Sequence, residues 1–229
     1  MNDLKPKIQQ TVLYGGMALA AILITVTGIL WKQAFLRMLP LYVSLVVSFL
    51  QSKANRTASL IGGLNSLLYA AVFAYYHLYG SMVYAILVSC PIQILTFIRW
   101  KKHSYKKTTM FRKLTTKSRL LVAGGFVVVW VGVYLVLNAI GSNFVLIDNT
   151  MTLLGILTSF LTMFAYIEYS VLMIPSSLVN ILLYSLMLKE NPEQATFLVY
   201  SIYCFICQCF AFMNIRRLYK EQTESSKQT

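Results

Sequence analysis

Eight apolar segments of about 18–22 residues each make up most of this chain and restrict its fold more than any other feature. An α-helix of that length crosses the roughly 30 Å hydrocarbon layer of a bilayer. Of the 229 residues, 58% are hydrophobic and 12% are charged, which is too apolar for a soluble domain of this size. We therefore predict an all-α integral membrane protein with eight transmembrane helices, at roughly Thr11–Leu30, Ala34–Gln51, Ala58–His77, Gly80–Ile98, Arg119–Leu137, Phe144–Ala165, Tyr169–Leu188 and Ala195–Asn214.

The basic residues predict how these helices are oriented. If eight crossings alternate, 17 of the 20 Lys and Arg residues lie on the side of the N-terminus, and the other side carries Lys32, Arg37 and Lys189. Cytoplasmic loops are enriched in Lys and Arg, so we expect both termini in the cytoplasm. The first segment is longer than the core of a signal peptide, and we expect it to remain as a helix.

The net charge of +13 can reflect either membrane topology or nucleic-acid binding. Much of the charge lies in one loop, 100–118, where nucleic-acid binding would require a folded module with interleaved aromatic residues. Only Tyr105 and Phe111 are present there. We interpret the loop as a topology signal that also attracts the anionic headgroups of the bilayer, and we expect no nucleic-acid partner.

An internal repeat predicts the arrangement of the helices. Gly63–Tyr69 returns 115 residues later as Leu178–Tyr184, and at the same offset Gln93 falls on Gln208. Two three-helix units joined by one extra crossing run parallel, which gives a 3+1+3 bundle of the kind seen in SWEET transporters. The predicted parts are an accessory N-terminal helix (1–33), the first repeat (34–99), the basic loop (100–118), a linker helix (119–140), the second repeat (141–215) and a cytoplasmic tail (216–229).

Polar side chains at helical spacing predict a hydrated pocket between the two repeats. We expect four amides to form hydrogen bonds with a bound solute, namely Asn65, Gln93, Asn180 and Gln208. The predicted pocket walls are Tyr69, Tyr184, Met173 and Trp130, and the polar stripe of the seventh segment adds Ser170 and Ser177 to the predicted binding residues. For the small residues, close packing of helices explains the pattern equally well. For the amides a pocket is favoured, because buried amides are costly without a partner.

The chemistry that the sequence lacks narrows the function. No ionisable residue lies deep in any segment, and proton-coupled carriers usually need one. The chain has no nucleotide-binding loop or hydrolase motif, and we predict no cofactor and no metal. We interpret the Cys204-x-x-Cys207 spacing, in mid-helix, as packing. The function that remains after these exclusions is facilitated diffusion of a neutral or weakly cationic small molecule.

Two other classes of protein stay open. One is a membrane enzyme that uses Asp148 and Glu168, although Glu168 has no evident partner in the sequence. The other is a non-transporting assembly component, whose polar stripes would bind neighbouring helices.

The residues resemble the Pnu family of bacterial vitamin transporters, typified by a nicotinamide riboside transporter, over about Leu41–Lys220. The similar motifs are Gly62-Gly63-Leu64-Asn65, Leu78-Tyr79-Gly80-Ser81, Trp100, Asp148 and Tyr166-Ile167-Glu168. The resemblance implies a SWEET-like fold in a bacterial plasma membrane and uniport of a nucleoside or vitamin. It also implies a cytoplasmic kinase that traps the product, and it leaves a homo-oligomer possible.

The chain departs from this family at the substrate signature. The family carries WxxWxxx[ND], whose two tryptophans sandwich nicotinamide, and the matching positions here are Ser170, Met173 and Ser177. Asn180 lies one helical turn further on and is expected to replace the lost amide. The resemblance therefore implies a nicotinamide riboside-like solute or the substrate of a related branch, which carries deoxynucleosides, thiamine or riboflavin.

Overall fold

The computed structural model describes residues 4–75, 77, 79–140, 145–189 and 191–225, and it contains the eight expected helices. They are α1 (Leu4–Leu30), α2 (Phe35–Ser52), α3 (Thr57–Tyr75), α4, α5 (Thr116–Ile140), α6 (Val145–Met163), α7 (Glu168–Met187) and α8 (Ala195–Ser225). Helix α4 has three consecutive pieces: Tyr79–Tyr84, a π-helical turn Ala85–Ser89, and Cys90–Lys102. A 3₁₀ turn, Pro192–Gln194, precedes α8. All eight helices are long and apolar enough to cross a membrane.

Six of these helices close into a ring. Helix α2 packs against α3, α3 against α4, α4 against α6, α6 against α7, α7 against α8, and α8 against α2. The two repeats therefore meet at two equivalent junctions, α4–α6 and α8–α2. This is the arrangement expected of parallel repeats about an axis along the membrane normal, and it confirms the predicted fold class.

The remaining two helices lie outside the ring. Helix α1 covers the α8–α2 junction, where Leu13 and Ile24 join an apolar cluster that includes Leu45, Tyr203 and Cys207. Helix α5, the linker, packs against α6. No residue of α5 from Thr116 to Val136 is buried by the described protein, so lipid has to cover most of its surface.

Two elements differ from the sequence-based expectation. Helix α4 widens into its π-helical turn just before Pro91, which has no N–H to donate to the preceding turn. Helix α8 continues to Ser225, so the predicted tail is helical over most of its length. Several predicted features lie outside the described residues: Leu78, the side chains of Ser81 and Asp148, and Phe144, the predicted start of the sixth segment.

The basic loop is folded against the end of α8. Strands β1 (Ser104–Tyr105) and β2 (Thr108–Thr109) form a short hairpin. The buried Gln222 amide donates to the Thr109 carbonyl at 2.9 Å and accepts the Phe111 N–H at 2.9 Å. The Glu221 carboxylate contacts Lys106 at 3.0 Å and raises the pKa of its ammonium group. The hairpin is therefore held on the side of the bundle where α1 begins and α8 ends, which we name the terminal side.

Candidate functional site

Three cavities follow one another through the ring. A vestibule of about 620 Å³ lies on the side opposite the termini and is lined by Arg37, Tyr69, Val72, Phe73, Tyr184, Phe197 and Tyr200. A polar chamber of about 230 Å³ shares Tyr69 and Tyr200 with it and is otherwise lined by Ser44, Val47, Ser48, Gln51, Gly62, Asn65, Ser66, Ser89 and Gln93. An inner cavity of about 40 Å³ shares Gln51 with the chamber and reaches the terminal side. The shared residues make the cavities a series from one face to the other.

Asn65 is the most constrained polar residue of the chamber. Its side chain is 5% exposed, and its amide donates to the Ser44 hydroxyl at 2.8 Å and to the Pro40 carbonyl at 3.1 Å, both on α2. Its Oδ1 is buried without a hydrogen-bond partner among the described residues. A buried acceptor without a donor costs free energy, so this oxygen favours a ligand or water that brings a donor.

Gln93 fits into the chamber because position 62 has no side chain. A Cβ built on Gly62 would lie 2.0 Å from the Gln93 Oε1. The Gln93 amide also lies 3.4 Å from the Ser66 hydroxyl, which in turn lies 2.9 Å from the Ser89 hydroxyl. These contacts join α3 to α4 and give the chamber a wall of neutral donors and acceptors.

Two tyrosines separate the chamber from the vestibule. The Tyr69 hydroxyl lies 3.5 Å from Ser44, and the Tyr200 hydroxyl lies 3.4 Å from Ser48. In the vestibule beyond them, Tyr184 stacks on Phe197 with ring centroids 5.5 Å apart, and Tyr69 stacks on Phe73 at 5.9 Å. Aromatic side chains therefore form most of the entrance.

Arg37 is the charged residue that lines the vestibule. It forms an ion pair with Glu193, and its guanidinium lies 5.5 Å from the centroid of the Phe197 ring. Among the residues that the structure describes, no Asp, Glu, Lys, Arg or His lines the chamber. An uncharged site of this kind suits a neutral or weakly charged solute, because a strong charge would lose its hydration without gaining a counter-ion.

An aromatic cluster closes the series on the terminal side. The Trp100 indole N–H donates to the Thr162 carbonyl at 2.8 Å, which joins α4 to α6. Its ring lies 5.8 Å from Phe111 and 6.3 Å from Tyr169, measured between centroids. These residues and Met173 belong to one buried apolar cluster. The conformation is open towards the vestibule and closed at the terminal side.

The remaining predicted residues of α7 and α8 are placed unequally. Met173 lines the inner cavity and Tyr184 lines the vestibule. Ser170 and Ser177 are buried, but their hydroxyls donate to carbonyls three and four residues earlier in the chain, at Ile167 and Met173. Asn180 likewise donates to the Ser176 carbonyl at 3.1 Å and lines none of the three cavities. Gln208 donates weakly to the Cys204 sulfur at 3.8 Å, and its Oε1 is buried without a described partner.

Trp130 lies away from the chamber. Its indole N–H donates to the Thr150 hydroxyl at 2.9 Å, its carbonyl accepts from Asn149, and its ring stacks on Tyr134. These contacts place Trp130 where α5 packs on α6, outside the ring. The linker helix is not part of the ring, so its side chains do not face the cavities that the ring encloses. The expectation that Trp130 forms a pocket wall is therefore corrected.

Of the two residues that a membrane enzyme would use, Glu168 holds two helices together and the side chain of Asp148 is not described. The Glu168 carboxylate accepts from the Arg119 guanidinium at 2.7 Å and from the Leu114 N–H at 3.2 Å, so it fastens the start of α5 to α7. The side chain of Asp148 lies outside the described residues. Within the described ranges, no group of three or more His, Cys, Asp and Glu side chains is arranged to hold a metal ion.

Sequence reasoning missed three residues of the cavity series. Gln51 joins the chamber to the inner cavity, Tyr200 joins the chamber to the vestibule, and Trp100 closes the terminal side. Gln51 and Tyr200 are not duplicated in the repeat: at the offset of 115 residues, Gln51 corresponds to Tyr166 and Tyr200 corresponds to Ala85. The repeat therefore gives no signal for them. Trp100 belongs to the motifs that resemble the Pnu family, but its sequence position alone does not predict that it closes a cavity.

Comparison with known proteins gives three results. A sequence model described as nicotinamide mononucleotide transporter matches residues 34–214. A nicotinamide riboside transporter, PnuC, from Neisseria mucosa is 27% identical over 172 residues, which are 72% of this chain and 65% of that relative's length. A crystal structure of the vitamin B3 transporter PnuC superposes with a TM-score of 0.76 at 22% identity, covering 94% of this chain and 93% of that one.

The family model covers the six helices of the ring, α8 as far as residue 214, and also the linker α5. The solved structure shares the fold over 94% of this chain. The chain is a multi-pass membrane protein of bacterial type, and it belongs to the nicotinamide mononucleotide transporter family.

Proposed function

We propose that this protein carries a nucleoside-like or vitamin-like solute across the bacterial plasma membrane by facilitated diffusion. The observation that carries the proposal is the series of three cavities inside the ring, with an uncharged polar chamber in the middle. Membership of a transporter family and the transporter name of the curated relative support it. The described lining of the chamber carries no charged side chain, which supports uniport over proton coupling.

The two larger cavities differ in chemistry, and this suggests how a solute would bind. The vestibule offers faces of Tyr69, Phe73 and Tyr184, which suit a planar ring because aromatic pairs stack. The chamber offers hydroxyls and the three amides of Gln51, Asn65 and Gln93, which suit the hydroxyl groups of a sugar. In this arrangement a ribose hydroxyl donates to the Asn65 Oδ1, and the base stays against the tyrosines.

The substrate is proposed as nicotinamide riboside or a related nucleoside or vitamin. The curated relative is named for nicotinamide riboside. At the positions of the family's tryptophan pair, however, this chain has Ser170 and Met173, and the cavity beside Met173 has a volume of about 40 Å³. That space is too small for a sandwiched pyridine ring, so the deoxynucleoside, thiamine and riboflavin branches stay as alternatives.

The orientation completes the proposal. With both termini in the cytoplasm, as the basic residues predict, the vestibule faces outwards and the Trp100 cluster closes the inner exit. Transport then requires Trp100 and Tyr169 to separate while Tyr69 and Tyr200 close. A cytoplasmic kinase that phosphorylates the imported solute would make net uptake one-directional.

Uptake into liposomes tests this proposal. Purified protein should exchange one class of labelled solute from a panel of nicotinamide riboside, deoxynucleosides, thiamine and riboflavin, with saturation and without a proton or sodium gradient. Protein-free liposomes give the background rate. Exchange that depends on a proton gradient would contradict uniport, and the absence of exchange for every member of the panel would contradict the proposed substrate class.

A further inference from the structure

A second cavity system lies outside the ring, between α5 and α7, with α6 as its floor. This groove has a volume of about 810 Å³, and its walls include Ala123, Phe126, Leu154, Leu157 and Val171. Val171 is 45% exposed, as expected for a surface that faces acyl chains. The cavity series inside the ring shares no lining residue with this groove.

The end of the groove on the terminal side is cationic. Lys113, Arg119 and Arg216 line it together with one carboxylate, Glu168, so the local net charge is +2. Arg119 is paired with Glu168. Lys113 and Arg216 form no ion pair within the described part of the chain. The Arg216 guanidinium lies 4.2 Å from the centroid of the Phe212 ring, a contact that does not neutralise its charge, so both cations can still pair with an anion.

The depth of the groove matches one leaflet of a bilayer. On α5 its lining runs from Arg119 to Val127, which is about 12 Å at roughly 1.5 Å per residue. Half of a hydrocarbon core of roughly 30 Å is about 15 Å. With the cations at headgroup level, the apolar walls would extend over the depth of the acyl chains of one leaflet.

We propose that this groove binds one anionic phospholipid from the leaflet on the terminal side. The phosphate and its headgroup would contact Lys113 and Arg216, and an acyl chain would lie along Ala123 and Phe126. Basic pockets between transmembrane helices bind anionic lipid headgroups by the same chemistry. A lipid in this position would fill the space that separates the linker helix from α7, and the inference does not depend on the transported solute.

Native mass spectrometry of delipidated protein titrated with phosphatidylglycerol or phosphatidylcholine tests the proposal. We expect one phosphatidylglycerol per protomer, retained at least tenfold better than phosphatidylcholine. The double variant Lys113→Gln/Arg216→Gln should bind it about thirtyfold more weakly, which is about 2 kcal/mol at 1.4 kcal/mol per factor of ten. Ala123→Trp, which fills the groove and keeps the charges, should also release the lipid.

Matched controls separate this site from general surface charge. Lys101→Gln/Lys102→Gln removes two exposed cations on the terminal side outside the groove, and Val128→Trp adds the same bulk to the exposed outer face of α5; both should retain the lipid. Equal binding of the two lipids, equal loss in the controls, or full retention by both groove variants would each overturn the proposal. Disulfide-linked dimers of Ala123→Cys in membranes would also overturn it, since a second copy would then cover the groove.

Discussion

Replacement of Asn65 by alanine is expected to lower uptake at least tenfold. Two hydrogen bonds to α2 are lost, and the chamber loses the buried Oδ1 that is proposed to accept a donor from the solute. A hydrogen bond left unmade in a buried site costs about 1–3 kcal/mol, and a factor of ten corresponds to about 1.4 kcal/mol. Initial rates of uptake into liposomes measure the effect on transport, and the thermal unfolding temperature measures the effect of the lost α2 hydrogen bonds on stability.

The equivalent residue of the second repeat provides the control. Asn180→Ala removes the same amide at the equivalent position of α7, where it bonds the carbonyl of Ser176 in its own helix. We expect this variant to keep more of its uptake than Asn65→Ala. If the Asn180 variant were inactive and the Asn65 variant active, the solute would be bound by the second repeat, and our assignment of the chamber would be wrong.

Replacement of Gly62 by alanine is expected to weaken solute binding about tenfold with little effect on folding. The new Cβ would occupy the position of the Gln93 Oε1, so the amide has to rotate away from its place in the chamber. Because a flexible side chain moves and the backbone does not, the unfolding temperature should change by only a few degrees. The binding constant, obtained from competition with labelled solute, is the measurement.

A double-mutant cycle decides whether Gln93 mediates this effect. If it does, Gly62→Ala/Gln93→Ala should bind no more weakly than Gln93→Ala alone, since the displaced amide is already absent. Gly155→Ala, in α6, is the matched control, because a Cβ there meets no atom within 4 Å. Strictly additive losses would show that Gly62 acts through helix packing and not through Gln93.

The length and polarity of the segments were sufficient to predict the helices. The ends of α2 and α7 agree with the predicted segments within one residue, because the bilayer sets the length and the loops are short. The extension of α8 to Ser225 could not be predicted from hydropathy, since its last turns are polar and are held by contacts of Gln222 with the basic loop.

The candidate site was predicted only in part. Helical spacing singled out Asn65, Gln93 and Tyr69, and all three line the chamber; that they bind a solute stays a prediction. The repeat implied the same environment for Asn180, but a repeat in sequence specifies a helix face and not the partner on the next helix. Asn65 faces Ser44 on α2, whereas Asn180 bonds within its own helix. Gln51, which has no duplicated amide, could be recognised only from the cavities that it joins.

Substrate protection of a single cysteine tests most directly whether the chamber binds the solute. In a background without Cys90, Cys204, Cys207 and Cys209, the variant Val47→Cys places a thiol on the chamber lining, and Val46→Cys places one on the 42% exposed neighbouring face. We predict that a small, water-soluble thiol reagent modifies position 47 and leaves position 46 unmodified, and that the transported solute slows the reaction at position 47 at least tenfold. A thiol at position 47 that does not react, or that reacts at the same rate with and without solute, would contradict the account.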